Sequence, residues 1–291
     1  MKPALRRRLR DYALLMRLDR PIGILLLLWP TLWALWIASG GPPDGTLLAV
    51  FVLGTVLTRS AGCIVNDLLD RDIDPFVQRT RDRPLAARHV SPQEALVLFA
   101  ALMLAALALV MLLDRDTVRM AFVAAFLMVS YPLFKRFFPA PQAWLGVAFG
   151  WAVPMAFMAT LGAIPRVAWL LFLVTVVWAC IYDTLYAMAD REDDRRLGIR
   201  STALLFGSMD LLAVGCLQAL MIFGLWLAGQ QAGFGAGWLA GLAVAAALFG
   251  WQLWIARDRE PAECLRAFRM NNHVGLAVFV GTVVDHALRA A

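Results

Sequence analysis

The chain has 291 residues, of which 61% are hydrophobic and 16% charged, and its mean hydropathy is +0.69. That balance excludes a soluble globular domain: apolar runs this long and this numerous belong to a polytopic helical membrane protein. The net charge of +6 comes from arginines that border the apolar runs, so it marks membrane edges and excludes a nucleic-acid partner.

Residues 1–20 form a basic N-terminal segment in which Leu5, Leu9, Tyr12 and Met16 recur at helical spacing beside an arginine-rich face. No small-residue cleavage pattern follows it, and the spacing predicts an uncleaved helix lying on anionic lipid headgroups, with a charge block that only fixes topology as the alternative. From residue 21 onward the chain reads as a single transmembrane domain. A helix needs about 20 apolar residues to cross the hydrocarbon layer, because every backbone polar group there must be satisfied within the segment. Nine spans are expected near 22–38, 47–65, 94–113, 118–134, 143–162, 167–188, 209–229, 235–256 and 272–288. Pro30, inside the first, removes one helical hydrogen bond and predicts a kink.

Basic residues set the orientation, since cytoplasmic loops carry the positive excess. With the N-terminus in the cytoplasm, most of the 27 basic residues fall on the inner side, including Arg71, Arg79, Arg81, Arg83, Lys135, Arg136, Arg191 and Arg200. Only Arg115, Arg119, Arg166 and Arg289 fall outside, and Arg59 lies within the second span. An inner bacterial membrane is the expected location. Cys63, Cys180, Cys216 and Cys264 are isolated, and His89, His273 and His286 are scattered, so neither a disulfide framework nor a zinc or nucleophile site can be built from them. A glycine-rich phosphate loop is also missing.

Two acidic clusters remain. Asn66, Asp70 and Asp74 follow the second span at i, i+4 and i+8, and Asp183, Tyr186, Asp190 and Asp194 follow one another from the end of the sixth. On a helix each set lines one face. Carboxylates stacked this way repel, so the arrangement calls for a cation, and hard oxygen ligands in this number suit Mg²⁺. Arginines beside the acids distinguish a metal-bound anionic ligand from a bare cation site, and a diphosphate fits. Arg71, Arg79, Arg81, Lys135 and Arg200 are candidate phosphate ligands. Asp72, Asp82, Glu192 and Asp193 fall off the shared faces and read as solvated. Arg59 is costly inside an apolar span, so it either faces the same cavity as the acids or takes a simple charge partner. An ion-coupled transporter would also use intramembrane carboxylates, but it places them near the bilayer midplane on broken helices rather than at span ends beside arginines.

At these residues the chain resembles the UbiA superfamily of intramembrane prenyltransferases, whose signatures are close to NDxxDxxxD and DxxxD. Asn66, Asp70 and Asp74 match the first, and Asp190 and Asp194 the second. Further likeness, to the 4-hydroxybenzoate polyprenyltransferase branch, lies in Arg20-Pro21-Ile22-Gly23, Leu28-Trp29-Pro30-Thr31-Leu32-Trp33, Arg79-Thr80-Arg81-Asp82-Arg83-Pro84-Leu85, Tyr131-Pro132-Leu133-Phe134-Lys135-Arg136 and Gly198-Ile199-Arg200-Ser201-Thr202-Ala203. The resemblance implies nine transmembrane helices around a central cavity with a cytoplasmic cap. It also implies transfer of a polyprenyl group from polyprenyl diphosphate to 4-hydroxybenzoate in ubiquinone biosynthesis, with Mg²⁺ as cofactor. On that footing Asn66, Asp70, Asp74, Asp190 and Asp194 are the expected metal ligands. Tyr186, Arg59 and the arginines above are expected to touch substrate, and Arg136 is expected to take the carboxylate of the aromatic acid. Naphthoate, homogentisate or haem acceptors are the alternatives within the superfamily.

Overall fold

The computed structural model describes residues 3–76, 80–134, 138 and 140–290, with side chains from Arg6 onward. Arg79, Lys135 and Arg136, three of the expected substrate ligands, therefore lie outside the described residues. Among those described, all regular structure is helical: α1 (Pro3–Leu15), α2 (Ile22–Ser39), α3 (Gly45–Leu69), α4 (Pro92–Val110), α5 (Arg115–Phe134), α6 (Pro141–Gly150), α7 (Ala152–Leu161), α8 (Arg166–Ala189), α9 (Arg191–Leu197), α10 (Thr202–Phe206), α11 (Asp210–Gln231), α12 (Ala236–Ala256) and α13 (Pro261–Ala290).

Local chemistry sets the ends of these helices. Asp44 accepts from the backbone N–H groups of Thr46 at 2.8 Å and Leu47 at 3.2 Å, which opens α3. Ser91 and Glu94 form a reciprocal capping box at the start of α4, with Pro92 just inside. Gly40 and Gly162 adopt left-handed conformations that close α2 and α7. The chain continues helically through Pro30, whereas the expected fifth span is broken: α6 stops at Gly150 and α7 starts at Ala152. Pro154 lacks the N–H that Gly150 would have received, and the next bond, Met155 to the Trp151 carbonyl, is stretched to 3.4 Å.

Among the described residues, eight stretches are long and apolar enough to cross a membrane: α2, α3, α4, α5, α6 with α7, α8, α10 with α11, and α12. The helix expected as the ninth, α13, has 30 residues, with Asn271, Asn272, His273, Asp285 and His286 diluting its apolar character. It runs antiparallel to α12 with backbones nearly touching. A Cβ on Gly241 would stand 2.8 Å from the Ala277 carbonyl oxygen, and one on Gly237 would stand 2.6 Å from the Asp285 nitrogen.

Tryptophans hold the centre. Trp33 of α2 stacks on Trp178 of α8 at 5.2 Å, Trp178 donates to the Asn271 side chain at 2.9 Å, and Trp33 donates to the Gly275 carbonyl at 3.1 Å. Each indole thus buries its ring against α13 while its one polar atom is satisfied. The lipid-facing side carries stacked pairs instead, Phe223 with Trp226 near the end of α11 and Trp251 with Trp254 near the end of α12. Consecutive antiparallel helices put these pairs at opposite ends of the bundle, where amphipathic rings sit at a membrane interface.

The N-terminal segment is anchored more firmly than its surface-lying expectation. Leu15 is fully buried with Ile64, Leu85 and Val90, and Tyr12 and Met16 pack beside them, whereas Leu9 stays about half exposed. Arg8 donates to the His89 carbonyl at 2.8 Å and pairs with Glu94 at 3.3 Å.

Candidate functional site

One large cavity, about 1880 Å³, opens inside the helix ring and is lined from α2, α3, α4, α5, α6, α7, α8 and α13. Both acidic clusters reach it: Asn66, Asp70 and Asp74 from one side, Asp183, Tyr186, Asp190 and Asp194 from the other, with Arg59 and Arg200 also on its wall. The sequence placed these groups at two span ends; the fold joins them in one chamber.

The two signatures are built alike. Asp70 ends α3 with φ −94° and ψ 5°, and Asp190 ends α8 with φ −96° and ψ 5°. Both sit in the bridge region between α and β, which is sparsely populated and recurrent at active sites. In each case the carboxylate residue four positions on stays in register through the backbone. Asp74 N–H donates to the Asp70 carbonyl at 2.8 Å, and Asp194 N–H to the Asp190 carbonyl at 2.9 Å. The first signature does not continue as one helix through Asp74, as the i, i+4, i+8 spacing predicts; α3 stops at Leu69 and a short 3₁₀ turn carries Asp74–Phe76.

Within the first cluster the Asn66 side-chain amide donates to Asp70 at 3.1 Å. Asp74 is buried and is gripped by Arg83 at 2.8 Å, while Thr80 donates to its backbone carbonyl at 2.9 Å. Burial pushes the Asp74 carboxyl above its ordinary range, and the Arg83 charge opposes that rise. Asp67, outside the expected ligand set, is fully buried and accepts both oxygens' worth of bonds from Arg17 at 2.7 and 2.8 Å, plus one from Arg83 at 3.1 Å. Arg17 and Arg83 carry that role without any sequence signal beyond their charge, because the pairing joins positions 50 and 16 residues apart.

Other expected ligands separate cleanly. Arg71 pairs with Asp72 at 3.6 Å and Arg81 with Asp82 at 3.9 Å, both arginines more than half exposed, and neither lines the cavity. Asp72, Asp82 and Asp193, read from the sequence as solvated, do line it. Arg59 donates to the Cys63 sulfur at 3.0 Å, lies 5.7 Å from the centre of the Phe149 ring, and keeps its Nε buried without a hydrogen-bond partner. It makes no carboxylate pair among the described residues. Arg269 and Asn272 of α13 add polar groups to the wall that charge counting alone assigned to a loop and a span. Aromatic rings frame the interior: Phe268 meets Tyr186 edge-on at 5.1 Å and Tyr182 at 6.2 Å.

The donor set fits Mg²⁺ held jointly with a ligand. Among the described residues no three His, Cys, Asp or Glu side chains converge closely enough to hold a metal ion alone. Magnesium is commonly bound by one or two carboxylates, its other positions filled by water and substrate phosphate oxygens. Half-sites on facing walls are suited to an ion whose remaining ligands arrive with a phosphorylated substrate.

Comparison with known proteins identifies the family. A 4-hydroxybenzoate octaprenyltransferase of Nitrosococcus oceani is 52% identical over 282 residues, covering 97% of this chain and 99% of that protein. The apo structure of a UbiA homologue from Aeropyrum pernix superposes with a TM-score of 0.80 at 25% identity, over 90% of this chain and 97% of that one. A UbiA homologue from Archaeoglobus fulgidus, solved bound to GPP and Mg²⁺, shares the fold with a TM-score of 0.69 at 17% identity, over 94% and 99%. Residues 27–274 match the UbiA prenyltransferase family, and the chain belongs to it.

Proposed function

We propose that the protein transfers a polyprenyl group from a polyprenyl diphosphate to the 3-position of 4-hydroxybenzoate, releasing diphosphate. The observation that carries this reading is the single chamber into which both aspartate signatures and Arg59 project. Its apolar bulk suits a lipid tail and its acidic mouth a metal-bound diphosphate.

In this reading Asn66, Asp70 and Asp74 hold one Mg²⁺, and Asp190 and Asp194 another. Held by those residues, the ions would supply charge neutralisation on the diphosphate as the allylic C–O bond breaks. For Asp74 to serve, Arg83 must release it, and a phosphate oxygen offers that arginine an equivalent partner. Arg200 binds phosphate from the second cluster, with Arg79 and Lys135 assigned to the same anion. Tyr182, Tyr186 and Phe268 keep water from the allylic cation, and their ring faces stabilise its charge. The ring carbon beside the phenol oxygen forms the new C–C bond, and its proton leaves to the diphosphate or to Asp190.

Arg59 receives the carboxylate of the aromatic acid, a role in which a guanidinium offers two parallel donors. Arg136, the residue that the sequence nominates for this carboxylate, is kept as a second contact in the proposal. The inner-side arginines support a cytoplasmic N-terminus in the inner membrane, with both signatures at the cytoplasmic end.

Two measurements test the reading. Purified protein given labelled prenyl diphosphate, Mg²⁺ and a panel of acceptors should prenylate 4-hydroxybenzoate in preference to naphthoate, homogentisate or haem; preferential labelling of another acceptor overturns the substrate assignment. Asp70→Ala and Asp190→Ala should each abolish turnover at saturating Mg²⁺ while the protein still inserts and folds.

A further inference from the structure

We propose that Asp210, outside both signatures and away from the cavity wall, is a positioning residue that fixes the second metal half-site. The inference rests on the metal roles assigned above to Asp190 and Asp194. Asp210 begins α11 and is fully buried, yet it is a carboxylate. It is held by two arginines: Arg191, the residue directly after Asp190, and Arg259, which bonds it at 2.9 Å and also donates to the Ser208 carbonyl at 2.9 Å. Leu211 N–H adds a backbone bond at 2.6 Å. A buried carboxylate gripped from two sides has little freedom, and each arm reaches a different element.

One arm passes through Arg191 to the break between α8 and α9, where Asp190 stands in its bridge conformation. The other reaches the α12–α13 turn, where Arg259 adopts φ 57°, a left-handed conformation rare outside glycine. The backbone holds that posture where the guanidinium is delivered to Asp210. The first signature has the same device. Asp67, one turn before Asp70, is buried and gripped by Arg17 and Arg83, and Arg17 likewise lies at φ 58°. Two metal half-sites thus each stand beside a buried Arg–Asp–Arg clamp with one left-handed arginine. Repetition of an unusual arrangement at both breaks is what a requirement for aim produces, and fold stability alone does not demand it. The clamp spends no oxygen on metal; it sets the direction in which Asp190 and Asp194 offer theirs.

The test is Mn²⁺ binding by electron paramagnetic resonance, on the full-length protein with a non-hydrolysable prenyl thiodiphosphate, alongside Mg²⁺ titrations of turnover. Because residues that orient metal ligands change metal affinity by roughly 10- to 100-fold, Asp210→Asn should weaken one of the two bound ions by about tenfold or more. The same variant should raise the Mg²⁺ concentration for half-maximal turnover and leave the KM for 4-hydroxybenzoate unchanged, and Asp210→Glu should restore part of the loss. If Asp210→Asn fails to accumulate, Arg259→Gln, which keeps the Arg191–Asp210 pair, should show a smaller shift in the same direction. Folded variants that bind both ions as the wild type does overturn the positioning role. A wild-type protein that binds no Mn²⁺ overturns the metal reading itself, so the two failures are distinct.

Discussion

At the scale of single residues, the most consequential side chain outside the signatures is Arg59. An arginine within an apolar span is costly unless it is paired or facing a polar cavity, and the structure gives it a cavity and a space to lie in. That space exists because residue 23 is glycine: a Cβ there would stand 2.7 Å from both Nε and an Nη of Arg59. The clash is with the far end of a flexible side chain, so Gly23→Ala should displace the guanidinium rather than separate α2 from α3. Helix propensity favours the change by up to about 1 kcal/mol, and thermal stability should hold or rise slightly. Since a hydrogen bond to a charged group contributes about 1.5–3 kcal/mol, misplacing this one should raise the KM for 4-hydroxybenzoate by roughly tenfold. Steady-state kinetics beside a melting curve checks it; an unchanged KM with an unchanged melting temperature removes Arg59 from the acid's site.

At the scale of elements, the α12–α13 pair depends on missing side chains. Gly241 faces backbone on the opposite helix, with the Ala277 oxygen and Gly281 Cα both under 3 Å from a built Cβ, whereas Gly250 on the same helix faces open space. Backbone cannot swing aside, so Gly241→Ala should lower unfolding stability by about 1–3 kcal/mol, while Gly250→Ala should be neutral or mildly stabilising. Equal melting temperatures for the two variants in detergent would mean that the helices are not held at this distance. Element positions were largely legible from apolar run length, because the bilayer imposes it, and the ends of α3 and α8 at the two acidic clusters followed. The break at Gly150–Ala152 leaves no mark in the hydropathy, because it needs only Pro154 and the apolar run continues straight through it. The Asp67 and Asp210 clamps were illegible for another reason: each joins an aspartate to arginines that only tertiary structure brings near, and charge alone could not distinguish a clamped arginine such as Arg83 from an exposed one such as Arg81.

At the scale of the molecule, the helix ring brings together half-sites that are each incomplete. Neither signature closes around a metal ion, and no three metal-binding side chains converge among the described residues. A near-octahedral Mg²⁺ ion must therefore take much of its coordination from water or from the diphosphate. Cation and prenyl diphosphate should then bind with positive coupling, each raising the affinity for the other by the same factor, because linkage between binding equilibria is reciprocal. A ligand present at a hundredfold its dissociation constant stabilises the folded state by about 2.7 kcal/mol. A non-hydrolysable prenyl thiodiphosphate with Mg²⁺ should produce a melting shift of that order, and either component alone only a small fraction of it. A chelator should remove both the shift and turnover. In Asp190→Ala the first half-site remains, so the joint shift should shrink rather than vanish, with turnover already lost. If Mg²⁺ alone stabilised the protein as much as Mg²⁺ with the diphosphate, the aspartates would form a complete metal site, and the diphosphate would no longer be the link between the two walls of the cavity.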